Sequence, residues 1–212
     1  MTVRKWCGQS TEKIEIMSFI DPVRNLAFTH IAKTSGAIWA EWIWKFRKDL
    51  IGFGAHDSLT IMRKHNPAAF GKCFKVGFVR NPWSWWVSAY FWFNEPRHKG
   101  FDFLQRYPTF KDFITHRHEW QPPFPYLYQW PFLCETGNRH AMIADFVGRT
   151  EQTQEDFNHI CRQVGVEPWV LSTKPHRDYR PYYDKETIDL VAKISAQDIE
   201  LFGYTFGEEF AP

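Results

Sequence analysis

The stretch CFKVGFVRNPWSWWVSAYFWF, residues 73–93, decides the fold class of this chain. Its first part, 73–79, is a nearly continuous apolar run, which is typical of a strand buried on both faces of a sheet. Asn81 is a favoured helix N-cap and Pro82 suits the first helical position, so a helix is predicted directly after the strand. Because this helix is apolar on almost every side, we expect it to be deeply packed.

A second strand and helix precede this pair. The run NLAFTHI, residues 25–31, predicts a short strand. From Gly36 onward apolar residues recur at spacings of three and four, which predicts an amphipathic helix. Its apolar positions are Ile38, Trp39, Trp42, Ile43, Phe46 and Leu50. A strand that leads straight into a helix is half of a strand–helix–strand unit.

Two later segments continue the alternation. IADFVGR, residues 143–149, predicts a strand, and a helix follows with Thr150 or Thr153 as its cap and Gly165 as its stop. A last helix is predicted from about 184 to 202. The alternation indicates an α/β fold, with a mostly parallel central sheet flanked by helices.

The whole chain, residues 1–212, is long enough to form a single domain with one substantial core. Within it, residues 94–140 are rich in proline, histidine and aromatic residues. They predict an irregular aromatic-rich insertion, which we place on the acceptor side of the site. Residues 1–20 predict a loosely tied terminus.

Composition excludes several classes of protein. The 26 lysines and arginines nearly balance the 24 acidic residues, which argues against a nucleic-acid coat or a polybasic membrane binder. The widely spaced Cys7, Cys73, Cys134 and Cys161 predict buried, reduced thiols. The first residues lack the apolar core of a signal peptide, and the uncharged stretch 81–94 is too short to span a bilayer. We therefore expect a cytoplasmic protein without a transmembrane segment.

The stretch THIAKTSG, residues 29–36, joins the first predicted strand to the first helix. A helix N-terminus binds phosphate or sulfate readily, because its N–H groups lack helical partners. Lys33 adds an ammonium group, Thr34 and Ser35 add hydroxyls, and Gly36 permits close approach. The order is not the G-x-x-x-x-G-K-[ST] of ATP- and GTP-hydrolysing proteins. Alone, the stretch is compatible with an anion site and with an ordinary turn that exposes a lysine.

A second candidate anion site follows the strand at 73–79. Arg80 ends this strand, and Ser88 lies about two helical turns further on, a rise of roughly 9–10 Å. A guanidinium and a hydroxyl could hold one phosphate together. Alternatively, Arg80 caps its own strand and Ser88 relieves crowding. Two anion sites at the carboxyl ends of strands suggest a nucleoside 3′,5′-bisphosphate.

Four blocks of the sequence resemble the sulfotransferase family. HIAKTSGAIW is similar to its H-I-P-K-T-G-G-T-S loop, and FVRNPWSWWVSAY to its F-V-R-N-P-W-D-R-x-V-S-x-Y segment. FVGRTEQTQEDF resembles its F-[VI]-G-R-x-E-x-L-x-x-D-F block, and KPHRDYRPYYDKETIDLVAKISAQDIELFGYTF resembles the ending of many members. The resemblance spans residues 26–206 and is greatest to the branch of carbohydrate sulfotransferases and bacterial relatives. It implies a P-loop-like sheet.

The resemblance implies 3′-phosphoadenosine 5′-phosphosulfate (PAPS) as the sulfuryl donor and 3′-phosphoadenosine 5′-phosphate (PAP) as the product. It implies that Lys33 and its loop hold the 5′-phosphosulfate, that Arg80 and Ser88 hold the 3′-phosphate, and that Arg149 supports the pocket. The segment 174–183 corresponds to a loop that often closes over the nucleotide. The implied cofactor-binding residues are Lys33, Thr34, Ser35, Gly36, Ala37, Arg80, Ser88 and Arg149.

Three positions depart from the family loop. Ala32 replaces a proline, Ser35 replaces the first of two glycines, and Ala37 replaces a threonine that often helps to hold the phosphate. We expect Ser35 to be tolerated if its φ angle stays negative. Loss of the threonine hydroxyl is expected to lower the affinity for the donor.

In sulfuryl transfer an SO₃ group moves in line from a phosphate oxygen to an acceptor oxygen, so charge builds on the leaving phosphate. Lys33 is expected to stabilise that charge from a fixed position. We expect no metal ion, because no paired carboxylates lie beside these loops in the sequence.

An alcohol acceptor also needs a base. His56, in GFGAHDSL, lies where related sequences carry a histidine, and an imidazole titrates in a suitable range. A surface histidine beside Asp57 is an alternative interpretation. His116, His118 and Glu119 are rival bases, although the H-R-H spacing without further ligands does not support a zinc site.

The acceptor carries a hydroxyl group, which the resemblance assigns first to a carbohydrate and then to a phenol or a tyrosine. Several aromatic residues could stack on such an acceptor. They are Trp120, Phe124, Tyr126, Tyr128 and Trp130. Two other classes stay open: a P-loop nucleotide kinase, and a non-catalytic nucleotide-binding protein on a decayed sulfotransferase scaffold. No nucleic-acid partner is expected, and the oligomeric state is undetermined.

Overall fold

A computed structural model of the chain describes residues 17–95, 106–117, 128–135, 141–172 and 177–207. Its strands are β1 (Phe19–Asp21), β2 (Leu26–Thr29), β3 (Ile51–Gly52), β4 (Phe74–Val79) and β5 (Phe146–Arg149). The α-helices within these ranges are α1 (Gly36–Phe46), α2 (Leu59–His65), α3 (Pro67–Phe70), α4 (Pro82–Phe93), α5 (Phe110–Thr115), α6 (Trp130–Leu133), α7 (Thr153–Gln163), α8 (Lys185–Ile194) and α9 (Ala196–Phe202). Thr150–Gln152 and Arg180–Tyr182 form short 3₁₀ helices.

The chain divides into two compact units. The first unit combines residues 1–79 with 131–173, and the second combines 80–130 with 174–212. The assignment of residues 1–212 to a single domain stays a prediction.

The first unit is built on a five-stranded sheet with the order β3-β1-β2-β4-β5. β2, β4 and β5 are parallel to one another. β1 is antiparallel to both β2 and β3, so β3 points the same way as the three parallel strands. The mostly parallel sheet predicted from the sequence is therefore confirmed.

Helices cover both faces of this sheet. On one face, α1 and α7 pack over the strands, and the indole of Trp39 stacks on Phe28 with ring centroids 4.1 Å apart. The buried residues of this core are Phe19, Leu26, Phe28, Ile38, Trp39, Trp42, Ile43, Val76, Phe78, Phe157, Ile160, Cys161 and Leu171. On the other face, Gly77 of β4 lies against Leu133 and Thr29. The flanking helices predicted from the alternation are present.

Helix α4 forms the centre of the second unit. All of its residues are buried except Ser88 and Phe91. The Trp83 indole N–H donates to the carbonyl of Ile188 at 3.1 Å, and the Trp86 indole N–H donates to Ser195 Oγ at 3.4 Å. The predicted deep burial of this helix is confirmed.

Several boundaries differ from the sequence-based prediction. Strand β1 begins at Phe19, within the residues 1–20 that the sequence predicts to be loosely tied, and Phe19 and Ile20 are fully buried. A strand of three residues is too short to produce a periodic pattern, so the sequence does not reveal it. The strand predicted from residue 143 begins at Phe146, and α1 ends at Phe46 rather than at Leu50.

The last predicted helix is two helices, α8 and α9, which are separated at Ser195. Ser195 is buried, and its hydroxyl accepts the indole N–H of Trp86, a tertiary contact that helical periodicity does not report. Neither Thr150 nor Thr153 caps α7 through its side chain. Their hydroxyls donate instead to the carbonyls of Val79 and Thr150, respectively.

The structure describes part of the proline- and aromatic-rich segment and three of the four cysteines. Within residues 94–140, the described parts contain α5 and α6, and the rest lies outside the described residues. Cys73, Cys134 and Cys161 are buried, as predicted, whereas Cys7 lies outside the described residues. Among the helices of the described ranges, none has the length and apolar character needed to cross a membrane.

Replacing Gly77 by alanine is expected to destabilise the protein by about 1–3 kcal/mol, the usual effect of overpacking a core. The added Cβ would lie 2.6 Å from Leu133 Cδ2 and 2.8 Å from Thr29 Cγ2. Gly71→Ala is the matched control, because Gly71 is exposed and has a φ angle of −60°. Urea denaturation of both variants measures the difference, and equal losses of stability would contradict the packing described for Gly77.

Candidate functional site

The carboxyl ends of β2, β4 and β5 lie side by side at one edge of the sheet in the first unit. Thr29 at the end of β2 pairs with Gly77, and Val79 at the end of β4 pairs with Arg149 at the end of β5. Residues 31–36, which we call the lysine loop, follow β2 and lead into α1. Ligands of open α/β sheets bind at this edge. The lysine loop therefore lies where a ligand is expected.

The lysine loop contains two residues with left-handed backbone. Lys33 has a φ angle of 67° and Ser35 has a φ angle of 62°. Such a conformation costs a non-glycine residue about 1–2 kcal/mol, because Cβ approaches the following carbonyl oxygen. The condition under which Ser35 is expected to be tolerated, a negative φ angle, is therefore not met. Glycine, which the family has at this position, adopts a positive φ angle without this cost because it lacks Cβ. Ser35 adopts the same conformation although it carries a Cβ.

The hydroxyl groups of the lysine loop are engaged within the first unit. Thr34 is buried, and its hydroxyl donates to the carbonyl of Ile31 at 2.8 Å. Ser35 Oγ lies 3.3 Å from Thr153 Oγ1, and Thr153 donates its own proton to Thr150, so Ser35 is the donor. To donate to a phosphate, the Thr34 hydroxyl would have to break its hydrogen bond to the Ile31 carbonyl.

The start of α1 offers a feature suited to an anion. α1 is eleven residues long, and the side chain of Ser35, its N-cap residue, makes no capping hydrogen bond. Gly36 and Ala37 are the first two residues of the helix, so their N–H groups belong to the turn where a helix attracts negative charge. Lys33 is partly exposed beside this turn. The combination can hold a phosphate or a sulfate.

The ring of His30 packs directly against the start of α1. A Cβ on Gly36 would overlap His30 Nε2, so the position requires glycine. His30 Nδ1 lies 2.9 Å from the carbonyl oxygen of Ala55 and must donate to it, because a carbonyl only accepts. Burial lowers the pKa of His30 to about 3. The ring is therefore neutral near pH 7, with its lone pair on Nε2.

His56 stacks on His30, with ring centroids 4.8 Å apart and ring planes 25° apart. Its Nδ1 lies 3.2 Å from the carbonyl oxygen of His30 and donates to it. Burial lowers the pKa of His56, although the bond to the His30 backbone and the charge of Asp57 oppose the shift. His56 is half-buried, and neutral His56 carries its lone pair on Nε2. His56 is therefore not a freely exposed surface histidine, and its neutral ring can accept a proton at Nε2.

The segment around His56 is hydrogen-bonded to the end of β2 on both sides of the histidine. Thr29 Oγ1 donates to the carbonyl of Asp57 at 2.8 Å, and His30 Nδ1 donates to the carbonyl of Ala55. The backbone of Ser18 in turn donates to the carbonyl of Gly54 at 3.3 Å. His30 thus contacts both segment 54–57 and, at Gly36, the lysine loop.

In the second unit, Gln129 holds the backbone of Arg80. The Arg80 N–H donates to Gln129 Oε1, and Gln129 Nε2 donates to the Arg80 carbonyl, both at 2.8 Å. The Arg80 side chain is nearly buried, and its Nε donates to Ser84 Oγ at 2.9 Å. Neither Gln129 nor Ser84 is among the site residues predicted from the sequence. The four-residue spacing of Arg80 and Ser84 could have indicated Ser84, whereas Gln129 is 49 residues from Arg80.

A buried carboxylate anchors Gln129. Asp198 accepts the backbone N–H groups of Gln129 at 3.0 Å and of Trp130 at 2.8 Å. Burial raises the pKa of Asp198 to about 6, although these two hydrogen bonds act in the opposite direction. A chain of buried polar groups therefore runs from Asp198 through Gln129 to the backbone of Arg80.

Arg177 lies on the face of α4 that carries Ser88. Its guanidinium lies 3.9 Å from the centre of the Phe91 ring and donates to the Tyr182 hydroxyl at 3.3 Å. Residues three apart share a helix face, so Phe91 and Ser88 are neighbours. Arg177 belongs to the segment 174–183, which the family resemblance indicates, but it is not among the individual site residues predicted from the sequence. Lys174 lies outside the described residues.

The other candidates are distributed as follows. Arg149 is half-buried, and its N–H donates to Asp156 Oδ2 at 2.6 Å. His116 belongs to the second unit, where its Nδ1 donates to the carbonyl of Asp112 at 2.9 Å. Tyr128 is 41% exposed and Trp130 is half-buried. The candidates outside the described residues are His118, Glu119, Trp120, Phe124 and Tyr126.

The chain belongs to the sulfotransferase family. A model of that family matches residues 17–205, a range that contains the lysine loop, both histidines of the stacked pair and the Arg80 network. Members of this class transfer a sulfuryl group to a hydroxyl-bearing acceptor. No curated protein and no solved structure matches the chain significantly.

In the part of the chain that the structure describes, no three His, Cys, Asp or Glu side chains form a group able to hold a metal ion. The absence of a metal from the reaction stays a prediction.

Two substitutions at Ser35 test the left-handed backbone. Ser35→Ala and Ser35→Gly both remove the hydroxyl that donates to Thr153, but only glycine relieves the strain at a φ angle of 62°. We expect the glycine variant to be more stable than the alanine variant by about 1 kcal/mol. Urea denaturation measures the difference, and greater stability of the alanine variant would argue against this backbone conformation.

The raised pKa of Asp198 predicts a pH-dependent contribution to stability. The carboxyl has a pKa of about 6 when folded, against an ordinary value of 3.8, so the stabilisation of its protonated form is complete below pH 3.8 and is lost as the pH rises through 6. Between these limits the wild type should lose on the order of 3 kcal/mol relative to Asp198→Asn. Urea denaturation at several pH values measures this, with Asp189→Asn, at an exposed position, as the control. Parallel curves for wild type and Asp198→Asn would contradict the prediction.

Proposed function

We propose that this protein is a PAPS-dependent sulfotransferase in which the lysine loop holds the 5′-phosphosulfate. The observation that carries the proposal is the position of Lys33, partly exposed at the strand-to-helix turn before the N-terminus of α1. An ammonium and the N–H groups of a helix start are complementary to a phosphosulfate. The loop has the order of residues that resembles the family loop for this donor. The P-loop-like character of the sheet belongs to the same proposal.

For the 3′-phosphate of the donor we propose Arg80 and Ser88 in the second unit. Arg80 has its backbone held by Gln129, and Ser88 is one of the two residues of α4 that are not buried. Arg177, stacked on Phe91 beside Ser88, would supply a further positive charge. Arg149, at the end of β5, is proposed to support the pocket.

The transfer step would use two side chains of the first unit. His56 Nε2 would accept the proton of the acceptor hydroxyl as its oxygen forms a bond to sulfur. Lys33 would stabilise the negative charge that appears on the phosphate oxygen as its bond to sulfur breaks. The lowered pKa of His56 keeps the ring unprotonated at neutral pH, as a base requires.

For the acceptor we propose a carbohydrate hydroxyl, with a phenol or a tyrosine as the second choice. This assignment rests on the resemblance to the carbohydrate branch of the family. The exposed ring of Tyr128 offers an aromatic surface on which a sugar or a phenol could stack.

A second candidate function is nucleotide binding without catalysis, on a decayed sulfotransferase scaffold. The altered residues Ala32, Ser35 and Ala37 of the loop region favour it. The left-handed conformation of Ser35 favours the enzyme instead, because the loop keeps the turn that suits glycine even without glycine.

Replacing Lys33 by alanine is expected to reduce sulfate transfer by at least roughly 10²–10³-fold, the usual effect of removing a group that stabilises charge in the transition state. The assay uses labelled PAPS with a panel of glycans, tyrosyl peptides and phenols. Lys72→Ala, at an exposed position, is the control and should transfer at the wild-type rate. Full activity of Lys33→Ala, with its circular dichroism unchanged, would contradict the mechanism.

Calorimetry with PAP separates the two candidate functions. PAP binding together with turnover of any acceptor in the panel supports the enzyme. PAP binding without turnover across a broad panel supports the non-catalytic candidate, and failure to bind PAP contradicts both.

A further inference from the structure

We propose that His30 is a positioning residue for His56. In this role it holds the segment that carries His56 and fixes which nitrogen of the His56 ring bears the lone pair. The inference rests on the proposed function only where it speaks of catalysis, because the position and the tautomer of His56 can be observed without any reaction.

A backbone hydrogen bond selects the tautomer of His56. A neutral histidine in water exchanges its proton between both ring nitrogens, and a hydrogen bond to one nitrogen selects one form. His56 Nδ1 lies 3.2 Å from the carbonyl oxygen of His30, which can only accept. This bond keeps the proton on Nδ1 and the lone pair on Nε2. A base with the opposite tautomer would present a proton where a lone pair is needed.

The side chain of His30 holds the segment that carries His56. Its Nδ1 donates at 2.9 Å to the carbonyl of Ala55, the residue directly before His56, and its ring stacks on the His56 ring. Thr29 holds the carbonyl of Asp57, the residue directly after His56. Without the His30 side chain, one of these two flanking bonds and the stacking surface are lost together, while the backbone carbonyl that accepts from His56 remains.

The His30 ring also lies against the lysine loop. The His30 ring occupies the space where a side chain at Gly36 would lie, at the first turn of α1. His30 therefore touches the turn proposed to hold the phosphosulfate and the segment that carries the proposed base. A shift of the ring would alter the position of His56 relative to this turn.

The charges around His30 and His56 favour a neutral His30 and a His56 that can accept a proton. Among the described residues, Lys33 and His56 disfavour a positive charge on His30, whereas Asp57 favours one on His56. His30 is also the more deeply buried of the two rings. His30 therefore stays neutral as a scaffold, and His56 is the member of the pair that takes up a proton.

Nitrogen-15 NMR of the histidine rings between pH 5 and 8 tests the proposal, with His30→Phe and His30→Asn as the two variants. Phenylalanine keeps a ring but cannot donate to Ala55, whereas the asparagine amide can replace Nδ1 as the donor. In the wild type, His56 should hold its proton on Nδ1 and titrate below the ordinary pKa of 6.5. In His30→Phe, loss of the bond to Ala55 should let segment 54–57 move away from the His30 carbonyl, so His56 should populate both tautomers and its pKa should rise toward 6.5. His30→Asn should retain the wild-type tautomer.

Two further variants serve as a substitute for His30→Phe and as a control. Gly36→Ala introduces a Cβ that overlaps the His30 ring, so it should displace this ring and change the His56 signals while both histidines are still present. It replaces His30→Phe if that variant fails to fold. His65→Phe, at an exposed histidine of α2, is the control and should leave His56 unchanged. A His56 signal in His30→Phe or folded Gly36→Ala that keeps the wild-type tautomer and pKa would overturn the proposal.

The kinetic readout separates positioning from a loss of folded protein. In His30→Phe, kcat should fall by roughly 10²-fold, as for other small displacements of a reacting group. The acidic limb of the kcat/KM profile should also move to higher pH, which a smaller folded fraction would not cause. Should His56→Ala prove fully active, the assignment of the base fails, while the NMR result still decides whether His30 positions His56.

Discussion

The His30 imidazole lies so close to the first residue of α1 that only glycine fits at position 36, and the arrangement of the candidate site depends on this contact. His30 directly follows β2, and the chain turns within residues 31–35 before α1 begins. Lys33 and Ser35 take left-handed backbone in this turn. The same ring reaches the segment of His56 through Ala55. One neutral side chain thus shapes both the loop proposed for the donor and the position of the proposed base.

The strain in this loop is of the same order as the interactions that hold it. Two left-handed residues cost about 1–2 kcal/mol each, and a typical hydrogen bond contributes about 0.5–1.5 kcal/mol. The bonds of Thr34 to Ile31 and of Ser35 to Thr153 are therefore sufficient to offset much of the strain. Strained backbone of this kind is concentrated at functional sites, where the surrounding structure maintains it. The substitution of glycine by Ser35 leaves the turn in place.

In the second unit, a buried polar side chain likewise holds the backbone of a cationic residue, Arg80. Arg80 follows a buried strand and precedes a buried helix, so its backbone groups need partners within the protein. Gln129 supplies both a donor and an acceptor to them, and Asp198 holds Gln129 in turn. Because the backbone of Arg80 is already fixed, this residue would lose little conformational entropy when its guanidinium binds a phosphate. In each unit, buried side chains of uncharged polar residues position the backbone beside a cationic residue.

The sequence by itself determined the alternation of strands and helices, the buried character of α4, and the position of Lys33 at the junction of a strand and a helix. Each of these depends on residues that are neighbours in the chain, so periodicity and capping report them. Only the tertiary structure decided the role of Gly36 beside His30, the tautomer of His56, the bond between Gln129 and Arg80, the sign of φ at Ser35 and the break at Ser195. These features require partners that are distant in the chain or the exact course of a turn, and packing alone brings such partners together.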